Sequence, residues 1–481
     1  MMNDGNAPDL GSLNSLFGSV ASEAARFRAS IAERPQRPIH TYPEALSAFN
    51  APAPEGSTPA LDVVRELVER ATPGLHATTG PRFFGWVIGG SHPVGVAADW
   101  LTSAWGQNAG NHTASPAAAA AETISARWLL DLLDLPREAS VGFVTGATVA
   151  NFVCLAAARS EVLRRADWDV ERNGLFGAPP IHVLIGDEAH TTVFSALQFL
   201  GLGHDRVTRI ETDAQGRMRP EVFNRALSQC QGPTLVIAQA GQINTGAFDD
   251  HASIIPQARA HGAWVHVDGA FGLWARACPA RAHLGLGIEG ADSWATDGHK
   301  WLQTPYDCGY AIVRDADAHR RAMTSAASYL PGADAGERDP SHYVPELSRR
   351  ARGFATWAML RHLGREGIAG MVESHCSLAR YLAERLAREP GVRILNEVVL
   401  NQVIVRFGAD EPISVGDDLT LQTIRRIQDD AILFAGGAKW KGAWVMRLSV
   451  ISGATTVTDI DRAAEAILSA WRAIRATDRA Q

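Results

Sequence analysis

Lysine is nearly missing from this chain: three of its 481 residues, against 42 arginines. Composition alone accounts for the count, but not for the company kept by Lys300, which lies inside DSWATDGHKW. Arginine serves wherever a permanent positive charge is wanted. Only lysine offers an amine that can lose its proton and condense with an aldehyde. Cysteine is scarce too. The five cysteines, at 154, 230, 278, 308 and 376, are odd in number, scattered and without a CxxC pair. That argues against a disulfide framework or a zinc site and for a reducing compartment. The net charge is a mild -7 with no basic run, so nucleic acid is not an expected partner. No apolar run approaches the ~18 residues of a membrane span. The opening MMNDGNAPDLGSL lacks the basic and apolar regions of a secretory signal. Sixteen histidines show no HExxH or paired ligand spacing, which argues against a metal-dependent hydrolase. The expectation is a soluble cytoplasmic protein with no metal site and no membrane contact.

What is present is a chain with 46% apolar and 20% charged residues, able to bury a large core. Residues 1–75 read as an N-terminal arm: a helical stretch, then the Pro-rich PQRPIHTYPEAL and APAPEGSTP, then ALDVVRELVERA. Such an arm has no core of its own and must pack on something, a second subunit being one option. Residues 76–370 read as a large domain. Within it IHVLIG, TLVIAQ, AWVHVD, DSWAT and CGYAIV are short, β-branched or aromatic strands separated by helical segments. Buried strands alternating with helices imply an α/β fold with a mostly parallel sheet covered on both faces. Ligands of such sheets sit at the carboxyl ends of the strands. Residues 371–481 read as a small C-terminal α+β domain, closed by a helix with Thr456 or Thr458 as its N-cap.

Three elements fall at expected strand ends. VTGATVANF opens a helix, so Gly146, Ala147 and Thr148 leave free backbone N–H groups at its N-terminus, with a hydroxyl beside them. Those groups can cradle a phosphate, although Gly and Thr precede many helices that bind nothing. AWVHVDGAFG ends a buried strand with Asp268, which is costly to bury unless paired; a turn or cap role is the commoner fate of such a residue. WATDGHKW places Lys300 after another strand. A lysine there can equally point to solvent. Taken together, an aldehyde-reactive amine, an acid and an anion cradle converge on pyridoxal 5'-phosphate (PLP), whose ring nitrogen needs an anion to remain protonated.

Over nearly its whole length the chain resembles the group II PLP-dependent amino-acid decarboxylases, relatives of the aromatic-amino-acid and glutamate decarboxylases within fold type I. PRFFGWVIGG and VGVAADWLTSAWGQN resemble that family's substrate-entry segment. DEAHTTVF resembles the block whose histidine stacks on the cofactor. VDGAFG, DGHKWLQTPYDCG and SRRARGFATWAMLRHLG resemble its core cofactor blocks and a later helix. The resemblance implies that Lys300 bonds the cofactor aldehyde, Asp268 pairs with the ring nitrogen, Ala270 lies under the ring and His190 stacks on the other face. It places Ala147, Thr148, Thr245, Asp297 and His299 around the phosphate or beside the lysine. Asp297 stands where relatives often carry an uncharged polar residue, and a carboxylate is unfavourable near a phosphate.

The implied reaction is decarboxylation of an L-amino acid, with a homodimer as the expected assembly. Another PLP reaction on the same scaffold (aldol cleavage, a decarboxylating aldehyde synthase or transamination) is the alternative. The returning proton is linked in the family to a loop tyrosine. SYLPGADAGERDPSHYVPELS offers Tyr329 and Tyr343, with His342 between them, and Tyr343 is favoured. Phe84, Trp86 and Trp105 are candidates for an aromatic substrate pocket. Gly89–Gly90 replace a hydroxyl side chain found in some relatives, which implies a roomier pocket or a less firmly held carboxylate. Arg447 in VMRLSV matches the position of a carboxylate-gripping arginine in aminotransferases, though group II relatives can carry one too.

Overall fold

Strand segments rich in Val, Ile and Trp, most of them buried from end to end, build the larger of two sheets in the computed structural model, which describes residues 9–324 and 337–478. Its seven strands are β1 (Ser140–Val144), β2 (His182–Gly186), β3 (Thr208–Ile210), β4 (Thr234–Gln239), β5 (Trp264–Asp268), β6 (Ser293–Asp297) and β7 (Gly309–Val313). They lie in the order β1-β7-β6-β5-β4-β2-β3. β7 runs antiparallel to both neighbours, and the other pairings are parallel. The five strands expected from sequence are present. β1 and the three-residue β3 complete the sheet. Helices cover both faces, as a parallel sheet requires, with Trp264, Trp274, Trp294 and Trp301 fully buried among them. Each such aromatic removes roughly 150–250 Å² from water.

A second, fully antiparallel sheet comprises β8 (Val392–Ile394), β9 (Gln402–Phe407), β10 (Gly436–Trp440) and β11 (Ala443–Ser449), in the order β10-β11-β9-β8. Helix Val457–Asp478 closes it. Thr456, not Thr458, caps that helix: its hydroxyl accepts the Asp459 N–H at 3.3 Å, and Asp459 returns a carboxylate to the Thr456 N–H at 3.1 Å. The long helix Gly353–Leu386 joins the two sheets and is interrupted at Gly364, whose φ is 60°. Met359, Leu360, Ile368 and Val372 belong to the core under the large sheet, whereas Leu378, Leu382 and Leu386 belong to the core of the small one.

The N-terminal arm folds into helices Leu10–Ser30, Tyr42–Phe49 and Ala60–Ala71, none of which buries a single residue. Local capping holds the first two. Asp9 accepts the Ser12 N–H at 2.9 Å, and Glu44 accepts the Thr41 N–H at 2.7 Å. No helix among the described residues is long and apolar enough to cross a membrane.

Candidate active site

The carboxyl ends of β4, β5 and β6 converge on a cavity of about 320 Å³, lined by Gly146, Ala147, Thr148, His190, Asp268, Ala270, Asp297, His299 and Lys300 among others. Its size falls at the lower end of the roughly 300–1,000 Å³ usual for small-molecule sites. Sequence reasoning had placed all nine of these residues around one ligand, and the fold brings them together.

Each arrives by a local rule. β5 ends at Asp268, where the chain turns and Asp268 Oδ1 accepts the Ala270 N–H at 3.2 Å. Burial raises the Asp268 pKa, while His190 and Lys300 nearby work against that rise. β6 ends at Asp297 and leads into the turn that carries His299 and Lys300. Lys300 Nζ lies 2.9 Å from Asp297 Oδ2, and Asp297 Oδ1 accepts the Ala147 N–H at 2.6 Å. His299 Nδ1 accepts the Cys308 N–H at 3.2 Å, and its ring stacks on Tyr306 at 4.3 Å between centroids. Burial lowers the His299 pKa and keeps the ring neutral.

His190 caps helix Thr191–Phe199, its Nδ1 accepting the Thr192 N–H at 3.3 Å. That acceptor role puts the proton of the neutral ring on Nε2. Burial lowers the His190 pKa, with Asp268 opposing and Lys300 and Arg447 reinforcing the shift. Helix Ala147–Arg164 begins at the cavity wall. A Cβ at Gly146 would fall 2.9 Å from His299 Cε1, so only glycine lets that turn approach the lysine loop.

Several other expected site residues lie outside this cavity. Thr245 is fully buried but does not line the cavity. Its hydroxyl donates to the Gln215 carbonyl at 2.6 Å, which ties the loop after β4 to the turn after β3. Phe84 is 1% exposed and packs in the core of the small sheet, its N–H donating to the Phe434 carbonyl at 2.8 Å. Trp86 lies against Phe83 and Phe434, and Trp105 meets Phe354 edge-on; both are about half exposed and away from the cavity. Tyr343 packs against His319 with the Arg338 guanidinium over its ring, and it does not reach the cavity either. Tyr329 lies outside the described residues. Arg447 is held by Asn244 Oδ1 at 3.5 Å and is not a cavity residue. Gly89–Gly90 do not widen a pocket. A Cβ at Gly89 would meet the His299 and Lys300 carbonyl oxygens, and one at Gly90 would meet Gln303 Oε1 at 2.8 Å.

Tyr306, Thr192, Gln239, Ile243 and Phe271 also line the cavity and were not singled out from sequence. Tyr306 had a signal: it sits six residues past Lys300 inside the same motif.

An amine, an acid at a strand end, a neutral imidazole, a small alanine and a helix N-terminus around one cavity make the donor set that PLP needs. The match to known proteins agrees. The family described as "Pyridoxal-dependent decarboxylase conserved domain" matches residues 43–407. An aromatic-L-amino-acid decarboxylase of Bacillus atrophaeus is 26% identical over 79% of this chain and 79% of its own length. A phenylacetaldehyde synthase of a Rosa hybrid cultivar is 26% identical over 89% of this chain and 86% of its own. Among solved structures, Oryza sativa TDC with PLP and tryptamine superposes with a TM-score of 0.91 at 24% identity, covering 98% of this chain and 99% of that one. The chain belongs to the pyridoxal-dependent decarboxylase family, and the protein is a PLP-dependent amino-acid decarboxylase.

Proposed function

We propose that this enzyme removes the α-carboxylate of an aromatic L-amino acid, working as a cytoplasmic homodimer with Lys300 as the residue that bonds the cofactor. The single observation that carries the assignment of roles is the convergence of Lys300, Asp268 and His190 on one cavity. When bound, PLP supplies an electron sink for the pair left behind as carbon dioxide departs. Asp268 would be the anion that favours a protonated ring nitrogen. His190 and Ala270, both on the cavity wall, would hold the ring. Ala147 and Thr148 orient the phosphate with the helix N-terminus, a contribution of about 0.3–1 kcal/mol that positions the anion but cannot retain the cofactor alone. Lys300 would supply the amine that bonds the cofactor aldehyde, and His299 shapes the loop that presents it.

Two observations favour an aromatic side chain. Ile243, Phe271 and Tyr306 give the cavity apolar and aromatic wall, and Lys300 is the sole Lys or Arg among its lining residues. An acidic side chain would therefore lack a permanent partner there. Relatives named as aromatic-L-amino-acid decarboxylases are consistent with this choice, although others are named for acidic substrates. The dimer is supported by the arm, whose three helices bury nothing and leave Phe17, Phe49, Val63 and Leu67 exposed. The division into arm (1–75), large domain (76–370) and small domain (371–481) assigns that wrapping role to the first part. Five free, buried cysteines support a reducing, cytoplasmic setting.

Tyr343 stands away from the cavity, which favours a second outcome. If no phenol returns the proton, Tyr306 on the cavity wall included, dioxygen would accept the electrons and, with one water consumed, the products would be aldehyde, ammonia, carbon dioxide and hydrogen peroxide. The test is a product-resolved panel of Phe, Tyr, Trp, Glu, Asp and cysteine sulfinate. Amine and carbon dioxide from an aromatic substrate are expected. Aldehyde with peroxide would establish the second outcome, and no carbon dioxide from any aromatic substrate would overturn the substrate reading.

A further inference from the structure

The helix N-terminus that should greet the cofactor phosphate already has an anion on it. Asp297 is 2% exposed, and its Oδ1 takes the Ala147 N–H at 2.6 Å, the first amide of an 18-residue helix. A Cβ built on Gly146 would come within 3.3 Å of the same oxygen, so the carboxylate lies against the cradle itself. Its other oxygen holds Lys300 Nζ at 2.9 Å.

We propose that Asp297 is an internal rival of the cofactor phosphate, making the phosphate contribute less to PLP affinity and favouring its singly charged form. This rests on the reading that PLP binds with its phosphate at Ala147 and Thr148. Two anions sharing one buried N–H repel strongly in a poorly screened site. The titratable groups around Asp297 do little to relieve that. His299, 3.6 Å away, is kept neutral by burial. Asp268 adds a further negative charge to the same cavity, and Tyr306 and Tyr310 bring only phenols. His190 is held neutral by the same desolvation. Among the described residues Lys300 is the one compensating cation on the carboxylate, and it is compensating only while its amine is free. Once that nitrogen is committed to the cofactor, Asp297 faces the phosphate without it.

The experiment compares PLP with pyridoxal, which has the aldehyde and ring but no phosphate, by titrating the cofactor-free protein and following absorbance and tryptophan fluorescence. In D297N and D297S the preference for PLP over pyridoxal is expected to rise roughly ten-fold or more, with pyridoxal affinity changed far less. An unchanged or reduced preference overturns the inference, because Asp297 would then act through Lys300 alone and alter both ligands alike. The unaltered chain gives a second reading that needs no variant to fold. As the phosphate loses its second proton near pH 6, the preference for PLP is expected to fall between pH 6 and pH 8. A rise over that interval overturns it equally. Failure of both ligands to attach at Lys300 in the unaltered chain would remove the PLP reading beneath, and this inference with it.

Discussion

A Cβ on Gly89 would stand 2.3 Å from the carbonyl oxygen of Lys300 and as close to that of His299. The Gly89 N–H also donates to the His299 carbonyl at 3.2 Å, so the glycine is a strut under the lysine turn. Gly89→Ser cannot be absorbed by moving a flexible side chain, because both obstacles are backbone. We expect a loss of about 1–3 kcal/mol in stability together with weakened cofactor retention, measured by urea unfolding and by cofactor content after dialysis. A variant as stable as the parent that retains its cofactor would show that the turn yields freely.

Lys300→Ala is expected to abolish the borohydride-fixed pyridoxyl mass on the chain and to lower decarboxylation by at least about a thousand-fold. Peptide mass mapping locates the adduct. A fixed adduct at Lys439 or Lys441 in this variant would place the chemistry elsewhere.

Asp268→Asn separates stability from activity. Burial raises the Asp268 pKa in the folded protein. A group with a raised folded value stabilises at acid pH, and that contribution is lost as pH climbs through the raised value. At pH 8 the neutral amide is therefore expected to give a higher Tm for the cofactor-free protein. The rate should fall by about 10²–10³-fold, since the anion beside the ring nitrogen is gone. Calorimetry and turnover on the same preparation check both signs.

Acid should unfold the protein through its buried histidines. His266 and His319 are pushed down to about 3, and His251 and His375 to about 4, by burial in the folded state. With depressed folded values, they contribute stability above about pH 6.5 that is lost as pH falls toward those values. Asp249, raised to about 6 by burial, acts in the opposite sense between its ordinary range and that value, and Asp268 and Asp292, which burial also raises, act with it. His319→Gln is expected to reduce the slope of stability against pH between 6 and 5 by about 1.4 kcal/mol per unit. An unchanged slope would show that His319 takes up its proton without unfolding.

If the arm wraps a second subunit, charge on its apolar stripe should dissociate the pair. Val63 and Leu67 are 48% and 54% exposed one helical turn apart. The double change Val63→Glu, Leu67→Glu is expected to shift sedimentation from dimer to monomer. A dimer that survives it would locate the interface away from this helix.

The strands that hold the site were legible because each is a short, fully buried run, and buried strands leave a strong apolar signature. The strand-end residues Asp268, Asp297 and Lys300 were legible for the same reason: polar groups that follow such runs stand out. Thr245 and Phe84 fall outside the cavity, since a position in a motif says nothing about which way a side chain turns. Thr245 spends its hydroxyl on Gln215, and Phe84 is drawn into the small-sheet core. Gly89 was misjudged because the space around a glycine depends on a segment more than two hundred residues later in the chain. Tyr306 went unnoticed because an aromatic beside a motif resembles core until a neighbour such as His299 is placed against it.

Helix Gly353–Leu386 lends its first half to one core and its last turns to the other. Neither sheet can melt without stripping side chains from a rod the other still needs. Chemical denaturation should therefore proceed as one cooperative event, with signals from the tryptophans of the large sheet and from Trp471 of the small one vanishing at the same denaturant concentration.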